Sequence, residues 1–179
     1  MLSAPCISFE AKMPTVWIAT AQTLIIGTIN LMKNYWLAVM GNISDIDNLE
    51  HDAWWCLPRK ALKGDLVLMY CPRSTSITRQ GIFAECEVIM TPTMTVEENW
   101  RCSGFSGGVG QHSSLGYTVL KFLRRFEVRL IAREIRRDHI LKEVGFVRKN
   151  FQGTTFTLSK EAYERIITLI YEKRAKTSD

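Results

Sequence analysis

The side chains with the clearest chemical capacity are a set of aromatics and short polar residues suited to holding a flat ring. A nucleobase turned out of its stack is an apolar π-system with a polar edge, so a site for one needs an aromatic face and a few hydrogen-bonding groups. Trp36 and Trp55 could supply faces, Tyr70 a face and a hydroxyl, and Asn42, Ser74 and Asn150 the edge contacts. Arg73, Arg148 and Lys149 are the cations suited to a phosphate backbone. Stacking contributes about 1–3 kcal/mol per base, enough for recognition when phosphate contacts add to it.

Plainer roles compete with these. Trp36 lies in the apolar run Tyr35-Trp36-Leu37-Ala38-Val39, where a large aromatic packs in a core. Trp54 and Trp55 are adjacent, so on an extended chain one can pack while the other faces a cleft. Tyr70 could cover one end of a barrel. The pairs Arg124-Arg125 and Arg136-Arg137 read as a solvated face. Cys56, Cys71 and Cys86 read as small buried hydrophobes.

With 179 residues, 46% hydrophobic and 23% charged, the chain describes one globular domain with a sizeable core. Its five cysteines include no C-x-x-C pair and no histidine at ligand spacing, so neither a zinc site nor a disulfide framework is indicated, and a reduced, cytoplasmic compartment fits. No cofactor is implied. The net charge of +5 favours an anionic partner. Its distribution says more: residues 121–149 hold ten Lys and Arg against four Asp and Glu. Enzyme signatures are weak. The glycines at 104–110 are followed by no Lys-Ser or Lys-Thr, and His51, His112 and His139 are scattered.

The elements that must position these residues follow from turn signals and periodicity. Strands are expected at 35–40, 66–70, 81–90, 120–131 and 154–158, bounded by Gly41-Asn42, Gly64-Asp65, Pro72 and Pro92. The Trp-rich segment near 54–58 joins the first strand to the second. Short helices are expected at 44–50 and 138–144, and the glycine- and serine-rich stretch 100–117 as an excursion. Ser159 caps a last helix with Tyr163, Ile166, Ile167, Ile170 and Tyr171 on one stripe. This pattern argues an α+β domain whose sheet curls into a barrel. The mostly apolar, uncharged run near 16–31 holds several Thr, Asn and Gln residues, which weakens a membrane reading. Residues 1–31 are expected as an extension, with Met32 as the start of the domain.

The order Tyr35-Trp36-Leu37-Ala38-Val39, Trp55-Cys56-Leu57-Pro58, Gly64-Asp65, Gly81-Ile82-Phe83-Ala84 and Val144-Gly145-Phe146-Val147-Arg148-Lys149-Asn150 resembles the EVE domain, a branch of the PUA-like superfamily that also contains YTH and ASCH domains. The resemblance spans roughly residues 34–172 and leaves the N-terminal extension and the insertion at 102–116 unplaced. It implies a PUA-like curled β-barrel with short helices and a C-terminal capping helix over residues 32–175. It also implies binding of DNA or RNA, with a modified base recognised in an aromatic pocket, Trp55 being placed there by the Trp-x-x-Pro pattern. The related ASCH fold makes a ribonuclease the alternative, with His51, Lys60 or Lys63 and Tyr70 beside the same cleft. A protein-interaction module using the glycine-rich insertion is the third reading.

Overall fold

A computed structural model describes residues 33–41, 53–93 and 115–177, all within one compact unit spanning Lys33–Asp179. The expectations for residues 1–31, the helix at 44–50, Asn42, His51 and most of the glycine-rich insertion lie outside the described residues. Six strands form one mixed, curled half-barrel sheet: β1 Tyr35–Val39, β2 Ala53–Pro58, β3 Leu66–Cys71, β4 Gly81–Val88, β5 Leu115–Leu130 and β6 Thr155–Leu158, in the order β2-β5-β4-β3-β1-β6. Strand β1 runs parallel to β3 and antiparallel to β6; the other neighbours are antiparallel. Three helices follow β5: α1 Ala132–Arg137, α2 Gly145–Arg148 and α3 Lys160–Thr177, with a 3-10 turn at Leu141–Glu143.

Strand β3 explains how the molecule divides. It lies in the middle of the sheet, and Val67 to Cys71 are all buried, as a strand covered on both faces requires. Alternation sends Val67, Met69 and Cys71 into one core with Trp36, Trp55, Leu57 and Phe83. Leu68 and Tyr70 enter a second core with Phe146, Phe151, Tyr163 and Ile166. A register shift between Ile82 and Ala84 puts Phe83 and Ala84 into the first core together.

Two observations depart from the expected elements. The Trp-rich connection is a strand, β2, paired with the first part of β5, which starts at Leu115 inside the expected excursion. Trp54 and Trp55 alternate as an extended chain demands: Trp54 is 54% exposed and stacks on Tyr117 at 4.7 Å, while Trp55 is buried. The region expected to hold one helix at 138–144 holds only the 3-10 turn, with α1 before it and α2 after it.

The Gly64-Asp65 turn anchors the sheet. Gly64 adopts φ +93°, and the buried Asp65 carboxylate accepts hydrogen bonds from Asn34 N, Leu62 N and Trp36 Nε1 at 2.8–2.9 Å. Helix α3 begins as its sequence predicts, with Ala162 N–H donating to Ser159 Oγ at 3.1 Å. It lies on the sheet through Tyr163, whose ring meets Tyr35 at 4.5 Å and whose hydroxyl donates to the buried Glu85. Arg124 completes that carboxylate's partners with Nε at 2.5 Å.

Cys71 and Cys86 are free and buried, and burial, aided by Glu85, pushes the Cys86 thiol up to about 12. Cys56 departs from the expectation of a buried free thiol: it is half-buried and disulfide-bonded. No helix among the described residues is long and apolar enough to cross a membrane.

Candidate functional site

A cleft of about 710 Å³ opens where the end of β3, helix α1 and the chain after α2 meet, within the size range of small-ligand sites. Each wall has a local cause. Pro72 ends β3, and its carbonyl accepts hydrogen bonds from Thr75 N and Ser76 N, closing a turn that leaves Arg73 and Ser74 exposed at the rim. On α1, Ile135 points into the second core while Arg133 and Arg136, three residues apart, share the cleft side. The start of that helix is fixed by Glu134, whose carboxylate accepts Ile131 N–H at 2.9 Å and pairs with Lys173 at 2.8 Å.

The third wall comes from the end of α2, which forms a Schellman cap. Phe151 N donates to Phe146 O at 2.8 Å and Asn150 N to Val147 O at 2.9 Å, with Asn150 in the left-handed region at φ +52°. The apolar contact that accompanies this cap is the Phe146–Phe151 pair, edge to face at 5.3 Å. Phe151 itself has φ +60°, an uncommon conformation for a bulky residue. Packing holds it there: its ring stacks on Tyr70 at 5.0 Å and 18°, and the Arg136 guanidinium lies over it at 5.2 Å.

The cleft is cationic and polar at its rim. Among the described residues, Arg73, Arg133 and Arg136 line it, no carboxylate does, and none of the three forms an ion pair. Ser74, Gln80, Asn150 and Gln152 add short polar groups. Burial pushes the Tyr70 phenol up to about 12, with Arg136 pulling the other way, so its hydroxyl keeps its proton at neutral pH. Such a surface suits a ligand with negative charge and a planar, hydrogen-bonding body.

The expected site residues separate in space. Tyr70, Arg73, Ser74 and Asn150 come together in this cleft. Trp36 is a correction: at 1% exposure it belongs to the first core, on the opposite face of the sheet from Tyr70, with its indole N–H spent on Asp65. Trp55 is a second, packed in that same core at 8% exposure. Arg148 and Lys149 are exposed beside the cap but do not line the cleft, and Arg148 pairs with Glu143 at 2.5 Å. Of the groups considered for ribonuclease chemistry, Lys60 lies over the Trp36 ring at 5.4 Å and Lys63 is exposed, both away from the cleft lining that holds Tyr70. Arg133 and Phe151 were not anticipated, and Arg136 was read as part of a solvated face. The signal for the arginines was their i, i+3 spacing, hidden because the strand expected at 120–131 was followed by a helix placed too late.

No family model matches the sequence, and no curated protein matches it. Solved structures do share the fold. A hypothetical protein from Leishmania major is 16% identical with a TM-score of 0.59, covering 79% of this chain and 97% of that one. Human THYN1, solved in complex with 5-methylcytosine-containing DNA, is 11% identical with a TM-score of 0.57, covering 77% and 98%. The DUF55 domain of human thymocyte nuclear protein 1 is 12% identical with a TM-score of 0.55, covering 76% and 98%. At these identities the likeness is one of fold, and that fold is the curled, PUA-like architecture that the EVE resemblance implied.

Proposed function

We propose that this chain binds nucleic acid and seats one base in the cleft between β3, α1 and the cap of α2. The observation that carries the reading is a cleft of nucleotide size whose described lining holds Arg73, Arg133 and Arg136 and no carboxylate, floored by the stacked Tyr70 and Phe151. In it, Tyr70, Ser74 and Asn150 address the edge of the base, and Arg73 and Arg133 take phosphate. A shared fold with human THYN1, whose structure holds 5-methylcytosine-containing DNA, supports the reading and extends it to modified bases. A methyl group on the base would meet Pro72 and Ile77 at the apolar part of the rim.

The test is a titration of labelled DNA and RNA oligonucleotides, with and without methylated or hydroxymethylated bases, at fixed salt and then across a salt series. About two phosphate contacts give a log–log salt slope of roughly −1.4 to −1.8. At equal charge, a base-reading cleft separates modified from unmodified ligands. A flat salt response, or no binding at all, refutes the proposal.

A further inference from the structure

The rings at the floor of the cleft have little face to offer. Tyr70 is 3% exposed and Phe151 7%; they stack on one another, and Phe146 closes the edge of Phe151. A base entering here therefore needs another flat partner. Arg136 is exposed, lines the cleft, and has its guanidinium laid over Phe151 at 5.2 Å. A guanidinium is planar, and one placed over a ring at the wall of a cleft can offer that plane to a base. Arg133 emerges three residues earlier on the same side of α1, and Arg73 comes from the turn after β3. With no carboxylate among the described residues of the lining, their charge is directed to a phosphate.

Resting on the reading above, we infer that the cleft recognises an unpaired nucleotide as one unit, with Arg136 as the plate on which the base stacks and Arg73 and Arg133 as the clamp on its phosphate. The ligand must be unpaired because a base within a duplex has both faces covered by its neighbours and cannot reach a plate set in a protein wall. Single strands and nucleotides extruded from a duplex both meet that condition. Arginine matters at position 136 for its plane: a lysine would keep the charge and lose the stacking surface.

The experiment uses the full chain and a single-stranded oligonucleotide carrying 2-aminopurine at one position at a time, whose emission reports stacking, with a fully paired duplex of the same sequence as control. The wild type is expected to prefer the single strand and to change the emission at one position. Arg136→Lys is expected to lose affinity about fivefold or more and to abolish that change while keeping the salt slope. Arg73→Ala and Arg133→Ala are each expected to lower the slope by about one unit and leave the emission change in place. Arg136→Met, which keeps apolar cover on Phe151, is expected to match Arg136→Lys in emission and so serves if the lysine variant melts early. Wild-type affinity and emission in both Arg136 variants, or equal binding of the strand and a duplex with no emission change at any position of either, overturns the inference and leaves nucleic-acid binding standing. Failure of the wild type to bind any oligonucleotide overturns the underlying reading instead.

Discussion

Replacing Trp55 by alanine distinguishes a core tryptophan from a ligand-binding one. The ring is 8% exposed and packs in the core that also holds Trp36, Leu57, Val67, Met69 and Phe83. Truncating a buried tryptophan to alanine costs about 3–5 kcal/mol, the lost transfer energy plus the cavity left behind. That is a large share of a typical domain stability of about 5–15 kcal/mol. For a unit of this size each kcal/mol moves the melting temperature by about 2–4 °C, so Trp55→Ala should melt about 6–20 °C below wild type. Base discrimination should survive at temperatures where the variant is folded, because the cleft is built around Tyr70, on the other face of β3 from Val67, Met69 and Cys71. Differential scanning fluorimetry supplies the first measurement, and fluorescence polarisation with matched modified and unmodified oligonucleotides the second. A variant that melts like wild type yet no longer distinguishes the two ligands would show that the ring faces the ligand, and the division between the two cores would be wrong.

Two further outcomes test the scaffold around the cleft. Burial disfavours the charged form of Asp138, but hydrogen bonds from Leu141 N–H, Arg165 Nε and Ile140 N–H outweigh it and hold the carboxyl below the usual aspartate range. Its stabilisation is therefore complete above the unfolded value of about 3.9 and is lost as pH falls through the lower folded value. Urea midpoints between pH 6 and pH 2 should fall less steeply below about pH 4 in Asp138→Asn than in wild type, and parallel acid limbs would refute the linkage. At Phe151, whose φ is +60°, both Phe151→Ala and Phe151→Gly delete the ring, but only glycine relieves the backbone. The glycine variant should be the more stable of the two by about 1 kcal/mol, the reverse of the usual order, and a more stable alanine variant would mean that the conformation is not strained.

Most of the sheet was legible because β1, β3 and much of β4 are short apolar runs, the second half of β5 alternates apolar and charged residues, and the runs are bounded by Pro72, by the Gly64-Asp65 turn and by Gly81, which has φ +114° and leaves no room for a Cβ against Leu130 O. Helix α3 was legible from Ser159 and its apolar stripe. Strand β2 was not, because Ala53-Trp54-Trp55-Cys56-Leu57-Pro58 runs straight into the basic stretch Arg59-Lys60 and reads as a connection; its pairing with β5 decides its conformation. The cleft was only half legible. Tyr70, Arg73 and Ser74 are adjacent or nearly so in sequence, so finding one leads to the others. Arg133, Arg136 and Phe151 join them only through tertiary structure, and no local pattern announces that. Trp36 and Trp55 misled because residue type alone does not say to which side of a sheet a side chain turns.

That side is decided by register, and it separates two kinds of consequence. Along β1 the parallel pairing sets Trp36 beside Val67 and Val39 beside Tyr70, so Trp36 is fixed on the opposite face from the tyrosine. Asp65 reinforces that choice, since rotating the Trp36 ring toward the cleft side would break its Nε1 hydrogen bond and leave a buried carboxylate short of a donor. The first core is thus committed to stability by hydrogen bonding as well as by packing. On the second face the arrangement is different: Tyr70 and Phe151 are packed, but what they support is the exposed guanidinium of Arg136 at the wall of the cleft. The strained Phe151 backbone belongs to that same support. Strain of this kind persists only where surrounding structure over-determines it, and it clusters where a geometry is being held for a ligand. In the proposed reading the aromatic residues of this face act on a base at one remove, by supporting an arginine that can meet it.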